Sequence, residues 1–112
     1  MKRALQITYR GMATSVALNE HIRDHAAKLE QFFDGIVGCH VVVDEPHRHK
    51  QHSHHFRVRV DLHVPGRDII AGRDPEHDAA HEDPYQAVSD AFEAARRQLQ
   101  HYAEGLHAHH RH

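Results

Sequence analysis

The chain has 112 residues, 39% hydrophobic and 27% charged, which suffices for one domain with one compact core and not for two. Lys and Arg number 14 against 16 Asp and Glu, a formal charge of −2 with histidine neutral, so the composition lacks the basic excess usual in nucleic-acid binders. No apolar run approaches a membrane span and the first residues lack the apolar segment of a signal peptide, so a soluble cytoplasmic protein is expected. The single Cys39 forms no intramolecular disulfide and suits a reducing compartment as a small apolar strand residue. Histidine is the unusual component, with 16 copies. Groups that ordinarily titrate near 6.5 are about three-quarters protonated at pH 6, which carries the formal charge to roughly +10.

Residues 3–9 alternate, with Leu5, Ile7 and Tyr9 on one side and Gln6 and Thr8 on the other, the period of a half-buried strand. After a turn at residues 10–13, Thr14 or Ser15 offers an N-cap. Leu18, Ile22, Ala26, Leu29, Phe32 and Phe33 then form one apolar stripe, which predicts an amphipathic helix over 15–33, ended by Asp34-Gly35. Residues 36–44 are apolar and β-rich, a central strand. Residues 45–55 are polar, low in complexity and rich in histidine, a hairpin loop. Phe56, Val58, Val60, Leu62 and Val64 alternate with Arg57, Arg59, Asp61 and His63, the clearest strand of the chain. Pro65-Gly66 signals a turn into a short return strand over 67–73. Residues 74–82 form an acidic loop, and Asp83-Pro84 opens a second helix as N-cap and first helical residue. Val88, Phe92, Ala95, Leu99 and Tyr102 mark its buried stripe, and Gly105 or a residue shortly after should end it.

The order strand, helix, strand, strand, strand, helix predicts an α+β fold. A right-handed crossover makes the first two strands parallel, and two hairpins complete a four-stranded mixed sheet with both helices packed on one face. Residues 1–106 are expected to form the single domain and 107–112 a His-rich tail.

The residues also carry a resemblance. Ile7-Thr8, then Ala17-Leu18-Asn19-Glu20-His21-Ile22 and Lys28-Leu29-Glu30-Gln31-Phe32-Phe33-Asp34, resemble the first strand and helix of the hibernation-promoting factor/ribosome-associated inhibitor A family. Val64-Pro65-Gly66, Glu82-Asp83-Pro84-Tyr85-Gln86-Ala87-Val88-Ser89-Asp90 and Arg96-Arg97-Gln98-Leu99 resemble its C-terminal half, so the match spans residues 5–102 in order. The resemblance implies the β-α-β-β-β-α fold related to double-stranded-RNA-binding domains. It also implies a short-form, non-enzymatic protein that sits in the mRNA/tRNA channel of the small ribosomal subunit, contacts rRNA and silences translation in stress or stationary phase. Longer members carry a C-terminal domain, and this chain ends where that domain would begin. The pattern departs at Asn19 and His25, where the family commonly has basic residues, and at Ala94-Ala95, where it has a Lys-Leu pair.

The RNA-binding candidates are Arg23, Lys28, Arg96 and Arg97, with His21, His25 and His101 beside them. His21, His25 and Lys28 share a helix flank at i, i+4, i+7, and Arg23 lies nearer the opposite one. Spacing alone is more often that of a solvated helix face; the resemblance turns the row toward rRNA phosphates. Arg57 and Arg59 are secondary candidates on the sheet, and Tyr85 is read as a core residue. His21, His25 and His101 predict RNA affinity that rises as pH falls from about 7.5 to 6.

No spacing matches a defined metal site. His47, His49, His52, His54 and His55 are weak candidates for unspecific nickel or zinc binding, although the i, i+4 pair His21/His25 can also hold an ion. Ser15, Ser53 and Ser89 lie in no nucleophile motif, there is no phosphate-binding glycine loop, and no cofactor, membrane or small-molecule substrate is expected. A metal- or pH-responsive histidine-rich binding protein on the same fold is the alternative reading.

Overall fold

The computed structural model describes residues 1–46, 55–72 and 82–109, with the side chains of the last segment described to Leu106. Its elements are β1 (Gln6–Arg10), α1 (Val16–Phe32), β2 (Gly38–Asp44), β3 (Arg57–Val64), β4 (Arg67–Ala71) and α2 (Pro84–His109). Loop candidates His47, His49, His52 and His54, most of the 74–82 loop and the last three residues lie outside the described residues.

The strands lie in the order β1-β2-β3-β4. Strand β1 runs parallel to β2, with Ile7 opposite Val41 and Tyr9 opposite Val43. Antiparallel pairing joins β2 to β3 and β3 to β4, placing Leu62 between Cys39 and Ile69. The alternation read in β3 becomes its burial pattern: Val58, Val60, Leu62 and Val64 are buried, and the residues between them reach the other face. These four join Val41, Val43, Ile69 and Ala71 in one core with the stripes of both helices, so the helices cover a single face of the sheet.

Local chemistry sets the boundaries. Ser15, in extended conformation, accepts the Leu18 N–H on its Oγ at 3.1 Å and caps α1. Asp83 Oδ1 accepts the Tyr85 N–H at 2.9 Å and caps α2, with Pro84 at the first helical position. Pro65 cannot take the positive φ that primed hairpin turns require at their first position, and Gly66 supplies φ +88° at the second. Tyr102 donates its hydroxyl proton to the Pro65 carbonyl at 2.6 Å, tying α2 to that hairpin.

Helix α2 ends shortly after Gly105, at His109; a glycine inside a helix costs about 1 kcal/mol, which good helix formers such as Ala103 and Leu106 on either side offset. Two sequence expectations need correction. Phe32, assigned to the core stripe, is 40% exposed, while Phe33 packs against the core. Tyr85, also assigned to the core, is 40% exposed. The causes of both lie in helical phase and bear directly on the site.

Cys39 is buried at 4% exposure, and its thiol is pushed up to about 12, first by burial and then by the carboxylates of Asp61 and Glu30. The thiolate is the nucleophile, so Cys39 should stay unmodified by a maleimide at pH 7 in the folded protein and react fully in denaturant. Stoichiometric labelling under native conditions, read by mass spectrometry, would contradict this burial.

Candidate nucleic-acid interface

The two helices meet along matching rows. His21, His25, Lys28 and Phe32 on α1 have the spacing i, i+4, i+7, i+11, and Tyr85, Ser89, Phe92 and Arg96 on α2 repeat it. The rows run side by side in the same direction. His21 meets the Tyr85 ring edge-on with centroids 5.2 Å apart, and its Nε2–H donates to the Tyr85 carbonyl at 3.2 Å. His25 stacks on Phe92 at 5.3 Å. The Arg96 guanidinium stands over the Phe32 ring, 5.1 Å from its centroid, a cation–π contact. Between the rows runs a groove of about 230 Å³ lined by His25, Lys28, Leu29, Ser89, Phe92, Glu93 and Arg96.

At about 100° per residue, Phe33 falls in the middle of the Leu18–Leu29 stripe and Phe32 roughly 75° to one side. That side also carries His21, His25 and Lys28. Tyr85 is displaced from the α2 stripe in the same manner, beside Ser89 and Arg96. Both rings are therefore the apolar parts of a groove wall that solvent reaches.

The candidate cations divide accordingly. His25, Lys28 and Arg96 line the groove, and His21 joins its upper end through Tyr85 and Ser89. Arg23, Arg97 and His101 are exposed and outside the groove lining. By phase Arg23 flanks the far side of α1, Arg97 points from α2 directly to solvent, and His101 lies on the flank of α2 away from α1. Ser89, which lies in no nucleophile motif, is a half-buried contact between the helices. Its signal in the sequence is the 85-89-92-96 row, legible only once α1 is known to lie alongside.

His25 has its basicity lowered, first by burial, then by the neighbouring charges of His21 and Lys28, with Asp24 opposing. The rings of His21 and His25 are 4.7 Å apart. Protonating both places like charges in contact, so acidification charges His25 less than it would an isolated imidazole. The pH-dependent gain expected from the sequence is reduced here.

Asn19 has a structural role: Tyr9 of β1 donates its hydroxyl proton to Asn19 Oδ1 at 2.7 Å, and the Ser15 carbonyl lies 3.1 Å away. On the open face of the sheet the charges interleave. Asp44 stands in register between Arg10 and Arg57, and Arg59 pairs with Asp61 at 3.1 Å. An arginine neutralised by an adjacent carboxylate attracts phosphate weakly, so the groove between the helices is the better anion surface.

Residues 5–107 match the family described as Sigma 54 modulation protein / S30EA ribosomal protein. The chain belongs to that family. S30EA proteins are ribosome-associated hibernation and subunit-interface proteins, not enzymes. Among solved structures, a ribosomal subunit interface protein from Coxiella burnetii is 22% identical, with a TM-score of 0.72 over 89% of this chain and 97% of its own. The N-terminal domain of Thermus thermophilus Protein Y is 16% identical, with a TM-score of 0.68 over 87% of this chain and 94% of its own. Both share the fold of this S30EA member. No curated protein matches its sequence. Among its described residues no helix is long and apolar enough to cross a membrane.

Proposed function

We propose that this S30EA member binds rRNA of the small ribosomal subunit through the α1–α2 face, occupies the mRNA/tRNA channel and silences translation in stress or stationary phase. The observation that carries this reading is the convergence of Lys28 and Arg96, from two different helices, on one groove that also holds His25. Phosphates of a folded RNA are spaced on the scale of neighbouring helical turns, and cations fixed across two packed helices meet them at little further cost in side-chain ordering. Phe32, held under Arg96, adds an exposed ring to the same wall. Arg23, Arg97 and His101 flank this centre and contribute longer-range attraction, which salt screens.

Co-sedimentation with separated ribosomal subunits at neutral pH tests the partner. The protein should pellet with small subunits and stay in the supernatant with large ones. Retention on large subunits alone would overturn the assignment.

A further inference from the structure

Where α1 meets the start of α2, four donor atoms cluster at the upper end of the groove. Ser89 Oγ lies 3.4 Å from His21 Nε2, 3.3 Å from His25 Nε2 and 3.1 Å from the Tyr85 carbonyl oxygen. His21 Nε2 lies 3.2 Å from that same carbonyl. A tetrahedral zinc ion with bonds of about 2.0–2.1 Å needs ligand–ligand edges of about 3.3–3.4 Å. The four separations, 3.1 to 3.4 Å, are therefore close to four of the six edges of such a tetrahedron, drawn in two nitrogens and two oxygens.

The geometry points to a binding site for one borderline divalent cation, zinc or nickel, held by His21 Nε2 and His25 Nε2 with Ser89 Oγ and the Tyr85 carbonyl completing an open coordination shell. The two imidazoles carry the affinity; a neutral hydroxyl and a carbonyl are weaker donors to these metals. Among the described residues no group of three or more His, Cys, Asp or Glu could hold a metal, so this is a two-imidazole site with room for solvent.

The proton inventory is favourable. A carbonyl only accepts, so neutral His21 carries its proton on Nε2 to bond Tyr85. Metal uptake moves that proton to Nδ1 and leaves the ring neutral, with no net proton release. Electrostatics act both ways: Lys28 opposes a cation at His25 and Asp24 favours one.

The histidines of residues 47–54, 77–81 and 107–112 would bind the same metals weakly and mask the site, so the test uses a full-length chain in which those are changed to Gln. Calorimetric titration with Zn²⁺ or Ni²⁺ alone should give saturable uptake of one ion per chain. His21→Gln and His25→Gln should each lower affinity about tenfold or more, the scale that even outer-shell partners of metal ligands command, while His101→Gln leaves it unchanged. In the unsubstituted pair, Ni²⁺ should broaden the amide signals of His21, His25, Tyr85 and Ser89 before any others, a readout that requires no site variant to fold. No saturable uptake, unchanged affinity in His25→Gln, or broadening centred on other histidines would each overturn the site. None of these measurements involves a ribosome, so they stand or fall apart from the function proposed above.

Discussion

Leu62→Ala is expected to destabilise the domain by about 2–5 kcal/mol, the range for deleting a buried leucine and leaving a cavity. Leu62 is fully buried on β3, one of the two inner strands, with Cys39 and Ile69 in register on either side and the α2 stripe above. Its neighbours belong to paired strands and a capped helix, which limits how far they can collapse into the space. A domain of this size has about 5–15 kcal/mol in all, so the variant should approach the limit of folding at 37 °C. Urea unfolding followed by circular dichroism measures the loss. A change below about 1 kcal/mol would mean that the core is not packed as described.

Lys28→Ala combined with Arg96→Ala should sharply weaken binding to small subunits while leaving the unfolding midpoint almost unchanged. Both residues are exposed and line the groove, and neither belongs to the core. Each phosphate contact that releases a counterion contributes about 0.7–0.9 to the slope of log affinity against log salt. The double variant should therefore lose affinity at low salt and show a slope shallower by about 1.4–1.8, twice that unit, if each residue meets one phosphate. Arg23→Ala or Arg97→Ala, outside the groove, should change affinity less. An unchanged slope in the double variant would remove the groove from the interface.

Much of the fold was legible in the sequence because its signals are local. Strand β3 alternates without interruption, Ser15 and Asp83-Pro84 announce both helix starts, and Pro65-Gly66 marks the hairpin. The crossover rule then leaves β1 parallel to β2 as the expected arrangement, and the pairing of Ile7 with Val41 agrees. The site was legible only in part. Periodicity identifies which flank of a helix is polar, but not which flank faces another helix. Phe32 and Tyr85 were placed in the core because they are aromatic and near the stripe; both stand at its edge, where solvent reaches them. Lys28 and Arg96 were named from the sequence, yet their lining of one groove depends on the packing of α1 beside α2, which brings together residues 68 positions apart. Asn19 shows the converse. It departs from the basic pattern, and its bond to Tyr9 places it in the connection between β1 and α1.

Hydroxyl-radical cleavage from iron tethered at single sites tests most directly whether the helix face meets rRNA. Cys39 is buried with its thiol pushed up to about 12, so an introduced cysteine can carry the probe alone. Glu93→Cys places it in the groove and Asp68→Cys on the opposite, open face of the sheet. Bound to small subunits, the Glu93 probe should cut rRNA strongly at a few discrete positions and the Asp68 probe weakly. Strong cleavage from Asp68 with none from Glu93 would put the RNA on the sheet and contradict the interface described here.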